Sequence, residues 1–233
     1  MKNICRLFPF IILSLLFVSC GRVTYHVGDI VLDDGTVLSQ TQMPAYKGSA
    51  EPVAVIFSVT GGEHENSKRV LGAGLKISEP LVFTPENSES YSISIQKNYS
   101  IVAAQEYQLQ TGRYTNIGFY GLTDGRRAWK NVEKADVNAR KSFANYPAYN
   151  YAVNYGSNNK IKKFKKGWYL PSAAEARMLV NSNIPDLPDF IWTASQSYDA
   201  KENELVVNLI TGSVGTGFKD MDYRVCSIFC FAE

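Results

Sequence analysis

Four cysteines and two histidines are the residues of this sequence best suited to nucleophilic, redox or metal chemistry. Cys226 and Cys230 lie in an apolar run near the end of the chain, and two strand residues at this spacing are about 13 Å apart. That is too far for a disulfide, so we expect two buried thiols, with a metal or redox pair as the alternative. His26 and His64 are the only histidines. A Ser-His-Asp or Cys-His site is therefore excluded from the carboxy-terminal part.

A lysine-rich segment lies immediately before Gly167. Its five lysines flank Ile161 and Phe164, and they are Lys160, Lys162, Lys163, Lys165 and Lys166. Clustered ammonium groups attract sulfated glycans or lipid headgroups locally, even in a protein without net charge. These lysines are the candidate ligand-binding residues. The alternative is a solvated loop that leads into a strand, because lysines that alternate with apolar residues also suit an exposed strand.

Acidic side chains could hold a cation if two loops of the carboxy-terminal part approached each other. The candidates are Asp199, Glu202, Glu204, Asp220 and Asp222. Clustered oxygens are the ligands that Ca²⁺ prefers, but carboxylates in turns are usually solvated. We therefore predict no metal ion and no cofactor.

The amino terminus has the pattern of an export signal. Lys2 and Arg6 are followed by a hydrophobic run of 12 residues, which is too short to cross a ~30 Å hydrocarbon core as a helix. The run ends in Val18-Ser19-Cys20, which resembles a bacterial lipobox. The resemblance implies removal of residues 1–19 and acylation of Cys20, and acyl chains hold a protein on a membrane without a spanning helix. The alternative is an ordinary signal peptide with an incidental cysteine.

The charge balance bears on the class of partner. Lys and Arg total 24, and Asp and Glu total 22. Because Lys2 and Arg6 would leave with the signal, the mature chain has 22 of each and no net charge. A general polyanion binder needs a positive field, so nucleic acid is disfavoured. The expected partners are a lipid membrane, through Cys20, and a glycan or host-surface protein bound by the body.

The elements that must position these residues form two regions, after a tether over residues 20–24. The first, 25–111, is rich in β signals. They are a hairpin around Asp33-Asp34-Gly35-Thr36, a strand over 52–59 and a short strand over 70–76. The second region, 112–233, mixes helix and strand signals.

In the second region, apolar spacing predicts a helix that begins near Asn131 and stops near Tyr146-Pro147. Ser172 and Glu175 form a capping-box pattern that predicts the start of another helix. Strands are predicted over 191–195, 204–210 and 223–231. We expect an α+β domain in which the Ser172 helix packs on a twisted antiparallel sheet, with four buried core residues: Trp168, Leu170, Trp192 and Val225.

Four short motifs follow one another in this second region. The residues that define them are Gly167, Trp168, Leu170, Pro171, Ser172, Glu175, Trp192, Ser195, Gly212 and Arg224. In order and spacing they resemble a bacterial lipoprotein domain of unknown function, which is placed with the formylglycine-generating-enzyme-like branch of the C-type-lectin fold. The resemblance implies a lectin-like domain over 112–233, with flanking helices, preceded by the small β-rich region.

The resemblance carries no catalytic or metal site over to this chain. The oxidase branch of the fold needs a reactive cysteine pair, whereas Cys226 and Cys230 lie among apolar residues. Sugar-binding lectins hold Ca²⁺ with Glu-Pro-Asn or Gln-Pro-Asp and with Trp-Asn-Asp, and none of these triplets occurs. Phe229 also stands near the position where the family commonly has a second arginine.

Together these patterns favour a membrane-anchored lipoprotein of the bacterial cell envelope with a non-catalytic, adhesion-like domain that binds carbohydrate or protein. Two alternatives belong to other classes. One is a formylglycine-generating-type oxidase or a cell-wall-modifying enzyme. The other is a purely structural envelope protein.

Overall fold

The structure, a computed structural model of the chain, describes residues 23–61, 68–92, 124–180, 182, 184–196 and 202–233. Several predictions fall outside these residues. They concern the signal over 1–19, Cys20, the boundary between residues 111 and 112, His64 and Asp199. No helix within the described ranges is long and apolar enough to cross a bilayer.

Strands dominate the described part of the chain, with three short α-helices between them. In chain order the elements are β1 (Ile30–Leu32), β2 (Val37–Leu38), β3 (Pro52–Gly61), β4 (Lys68–Gly74), β5 (Leu81–Val82), α1 (Arg126–Ala135), α2 (Pro147–Asn158), α3 (Ala173–Arg177), β6 (Phe190–Gln196), β7 (Asn203–Asn208), β8 (Val214–Phe218), β9 (Asp222–Tyr223) and β10 (Ile228–Ala232). These strands pair antiparallel in three sheets. The predicted α+β class is therefore confirmed.

The largest sheet has five strands in the order β10-β4-β3-β1-β2. Its β1–β2 hairpin is the predicted one: Ile30 lies opposite Leu38, and the turn between them places Gly35 at φ 90°. A residue with a side chain rarely adopts this backbone conformation, which explains the glycine. The strands predicted over 52–59 and 70–76 are confirmed as β3 and β4.

The last strand does not lie where the sequence suggested. The run over 223–231 was expected as one strand in the sheet of Trp192 and Val207, and this is wrong. β9 pairs with β5, whereas β10 pairs with β4 and has a register shift after Cys230. An apolar run predicts extended backbone but does not specify which sheet edge it joins. Because β10 lies beside β4, the two predicted regions share one sheet.

The helices before residue 160 also differ from the prediction. Instead of one helix from Asn131 to Tyr146, α1 begins earlier and ends at Ala135, and short 3-10 turns follow over 139–141 and 143–145. Pro147 begins α2 rather than ending a helix. Proline suits the first turn of a helix, because the N–H that it lacks would have no partner there.

The predicted capping box is present at the start of α3. The Glu175 amide donates to Ser172 Oγ over 3.2 Å, and the Ser172 amide donates to Glu175 Oε2 over 2.8 Å. The helix is short, but its Ala173 and Ala176 pack with Ile191 of the β6-β7-β8 sheet in one core cluster. The Ser172 helix therefore lies on the antiparallel sheet, as predicted.

Trp168, Leu170, Trp192 and Val225 are each at most 2% exposed, so their predicted burial is confirmed. Trp192 is the largest of the fully buried side chains. Its ring makes edge contacts with Phe83 and Tyr223, and its Nε1 donates to the carbonyl of Leu81 over 2.8 Å. This side chain therefore joins the β5–β9 pair to β6.

Replacing Trp192 with alanine should lower the free energy of unfolding by ~3–5 kcal/mol, because it leaves a cavity in the core. Urea denaturation followed by circular dichroism measures the change. Phe190→Ala on the same strand is the matched control, since Phe190 is 41% exposed and should lose much less. A Trp192→Ala protein that unfolds at the same urea concentration as the parent would contradict this account of the core.

Candidate functional site

The lysine-rich segment is an exposed loop between α2 and the buried Trp168. All five of its lysines are exposed and no residue from 160 to 166 is in a strand, so the segment is a solvated loop. Ile161 is buried, so its side chain packs the loop against the core. The backbone of Lys163 donates to the carbonyl of Asp33 over 2.9 Å, and Lys162 Nζ lies 3.0 Å from the Asp33 carboxylate. The loop is thus held against the β1–β2 hairpin.

Half-buried aromatic rings lie beside these lysines. Phe164 of the loop is 5.2 Å from Phe229 and 4.9 Å from Phe231, measured between ring centroids. Phe229 also contacts the buried Trp168 at 5.3 Å, and Trp168 Nε1 donates to the carbonyl of Phe164 over 2.7 Å. Lys163 Nζ is 5.8 Å from the centroid of the Phe164 ring, within cation–π range. The rings are therefore held on a fixed core.

We call this region the basic aromatic surface. It consists of Lys160, Lys162, Lys163, Phe164, Lys165, Lys166, Phe229 and Phe231. Sequence reasoning found the lysines but missed Phe229 and Phe231, because they reach the loop only through the pairing of β10 with β4. Gly167 permits the close approach: its φ is 102°, and a Cβ built there would lie 2.9 Å from the Phe229 ring. The arrangement offers several positive charges around apolar ring surface.

The other residues of the four sequence motifs hold the fold together. Ser195 Oγ accepts from the amide of Ala173 over 2.9 Å, and the carbonyl of Pro171 accepts from the amide of Ala194 over 2.7 Å. The carbonyl of Arg224 accepts from the amide of Trp192 over 2.9 Å, and that of Gly212 accepts from Arg177 Nε over 3.1 Å. Each contact joins α3, β6 or a neighbouring turn to another part of the core.

Glu175 takes part in a larger polar network than its capping box. Its carboxylate also accepts from the amide of Gly125 over 2.9 Å and from the hydroxyl of Tyr169 over 3.0 Å, and it pairs with Arg69 of β4. Burial raises the pKa of Glu175, and the Arg69 guanidinium acts in the opposite direction. The sequence did not predict Arg69 as a partner, since the two residues are far apart along the chain.

The two carboxy-terminal cysteines occupy different positions. Cys226 is buried before β10 begins, whereas Cys230 is half-buried within it, so the expected burial of both thiols is complete only for Cys226. Neither forms a disulfide. Burial raises the pKa of Cys226 to about 12. Burial also raises the pKa of Cys230, with Arg126 and Arg69 opposing it; these cations were not expected from the local sequence.

The candidate acidic residues are not assembled into a cation site by the described structure. Asp220 and Asp222 are exposed, whereas Glu204 is fully buried and has the buried cation Lys219 as an electrostatic neighbour. Among the described residues, no cluster of three His, Cys, Asp or Glu side chains could hold a metal ion. A nearby ammonium also disfavours a cation next to Glu204.

Glu204 is nevertheless an unusual group. Neither of its carboxylate oxygens accepts a hydrogen bond from the described residues. Burial raises its pKa to about 8, although the charge of Lys219 acts in the opposite direction. A buried carboxyl without donors is more stable in its protonated form. The protonation of Glu204 should therefore affect the stability of the folded protein.

Comparisons of the chain with protein-family models, with curated proteins and with solved structures found no match.

The stability of the protein should depend on pH through Glu204. Because its pKa is raised to about 8 in the folded state from ~4.3 when unfolded, the folded state retains a proton that the unfolded chain loses between these values. The free energy of unfolding should then fall as pH rises from about pH 5 to pH 7. Glu204→Gln should flatten this dependence.

Urea denaturation at a series of pH values measures the effect. Glu86→Gln is the matched control, since Glu86 is an exposed carboxylate and its removal should leave the slope of the parent intact. If the free energy of unfolding of Glu204→Gln depends on pH as steeply as that of the parent, Glu204 is ionised in the folded protein.

Proposed function

We propose that this chain is a lipid-anchored protein of a bacterial cell envelope whose folded body binds an anionic ligand and catalyses no reaction. The basic aromatic surface is the observation that carries the proposal. Its lysines are exposed, and its rings are fixed by contacts with the buried Trp168. A preorganised surface of this kind loses little conformational entropy when a ligand binds.

The chemistry of the surface specifies the class of ligand. Exposed lysines attract sulfate, carboxylate or phosphate groups, and the phenylalanine rings offer apolar area to a sugar ring, a peptide side chain or an acyl chain. Lys162 already pairs with Asp33, so Lys160, Lys163, Lys165 and Lys166 supply most of the attraction. A glycan or protein ligand would therefore need several anionic groups.

The proposal includes the lectin-like architecture that the motifs suggested. Its support is the α+β class, the position of α3 on the β6-β7-β8 sheet, and the hydrogen bonds that join the motif residues Pro171, Ser195 and Arg224 to neighbouring elements. The motif residues therefore serve as a scaffold that builds the domain, while the binding surface lies on the loop before them and on the rings of β10.

The thiols argue against the oxidase alternative. An oxidase of the formylglycine-generating type needs an accessible cysteine with a low pKa. Cys226 is fully buried with a pKa raised to about 12, and burial also raises the pKa of Cys230. Both thiols favour the protonated form at neutral pH, in which they are poor nucleophiles.

Anchoring is tested by replacing Cys20 with serine in cells that process lipoproteins. The parent should be found in the membrane fraction with a mature chain that begins at an acylated Cys20, because only the thiol accepts the lipid. Cys20→Ser should lose the acyl mass and leave the membrane. Cys5→Ser within the predicted signal is the matched control and should behave like the parent. A parent that retains residues 1–19, or an unmodified Cys20, would refute the anchor.

Binding is tested with heparin as a soluble polyanion. The Lys165→Glu/Lys166→Glu double variant should bind at least ~10-fold more weakly than the parent, since a lysine beside an anionic surface contributes ~1 kcal/mol. Lys130→Glu/Lys141→Glu makes the same change of charge at exposed lysines elsewhere and should have a much smaller effect. Equal losses in the two variants would show that binding reflects overall charge and not this surface.

A further inference from the structure

The described part of the chain begins beside the basic aromatic surface. Tyr25 is half-buried, and its ring lies 6.1 Å from the ring of Phe231, measured between centroids. Phe231 in turn contacts Phe164 at 4.9 Å. Tyr25 therefore lies on the same aromatic rings that the lysines surround.

The connection between Tyr25 and the anchor is short. Cys20 precedes Tyr25 by five residues, and a fully extended chain of five residues reaches at most ~18 Å. If Cys20 is acylated, Tyr25 lies within this distance of the headgroup layer. The rings that Tyr25 contacts, and the lysines around them, are then within reach of the membrane.

The surface also has the chemistry that an anionic membrane surface attracts. Lys163, Lys165 and Lys166 are exposed on the loop, and each lysine near an anionic headgroup layer strengthens binding about fivefold. Val23 and Val27 on either side of Tyr25 are exposed apolar side chains. Basic and apolar groups on one face are the pattern of proteins that lie on a bilayer.

We propose that the basic aromatic surface docks on the anionic headgroups of the same membrane that holds Cys20. The body then lies against the membrane with this face down. The inference rests on the proposed acylation of Cys20 and names the partner of the proposed anion-binding surface. A soluble polyanionic glycan is the less favoured ligand, because the short tether leaves it little room between the body and the bilayer.

The experiment measures the reactivity of individual lysines in the anchored protein. The full acylated protein is inserted into vesicles of phosphatidylcholine, with or without phosphatidylglycerol, and is briefly acetylated before mass spectrometry. Lys165 and Lys166 should react at least ~threefold more slowly on the anionic vesicles, because docking covers them. Lys130 and Lys141 are internal controls and should react equally on both.

A charge-reversal variant tests whether docking causes the protection. In Lys165→Glu/Lys166→Glu the remaining Lys163 should react equally on the two kinds of vesicle. Lys130→Glu/Lys141→Glu should keep the protection of Lys163, Lys165 and Lys166. Protection of Lys163 that is the same in both double variants would overturn the inference.

The remaining outcomes separate the inference from the proposed function. A protein that floats with both vesicles but shows equal reactivity of Lys165 and Lys166 keeps its anchor and lacks the docking surface. Protection by heparin on neutral vesicles, without protection on anionic ones, would assign the surface to a soluble polyanion and overturn membrane docking. A protein without acyl chains that floats with neither vesicle would reject both the anchor and the docking.

Discussion

The buried carboxylate of Glu175 is the constraint on which much of this structure depends. An ionisable group in the core must be satisfied by nearby donors, because an unpaired one is strongly destabilising. Its four kinds of partner come from different elements: the cap of α3, the backbone before α1, the hydroxyl of Tyr169 and the guanidinium of Arg69 in β4. The position of α3 is therefore tied to the five-stranded sheet. The lysine-rich loop lies between α2 and this network, so its position is fixed as well.

Strand β10 supplies the other half of the arrangement. Successive residues of a strand point to opposite faces, so Phe229 and Phe231 share the face that meets Phe164, while Cys230 between them packs with another core cluster. One short strand thus closes the sheet beside β4 and carries the rings of the candidate site. A change in β10 would therefore affect both the fold and the candidate site.

Local patterns in the sequence predicted local structure correctly. The capping box at Ser172, the Asp33–Thr36 turn and the burial of Trp192 each depend on a few neighbouring residues or on a strongly apolar run. The predictions that failed required knowledge of distant partners. The helix expected to end at Pro147 depended on a residue that suits either side of a helix boundary, and neither the pairing of Arg69 with Glu175 nor the edge chosen by β10 leaves a local signal. For the candidate site, the lysines were identifiable and their aromatic neighbours were not.

The two edges of the five-stranded sheet have a consequence for self-association. An exposed strand edge can template pairing with another molecule, and long flat edges are the most prone to aggregate. Here one edge is β2, which has two residues, and the other is β10, whose register shift after Cys230 interrupts a regular ladder. Neither edge offers a long uninterrupted row of hydrogen-bonding groups. The sheet should therefore resist edge-to-edge assembly even when many copies are crowded together.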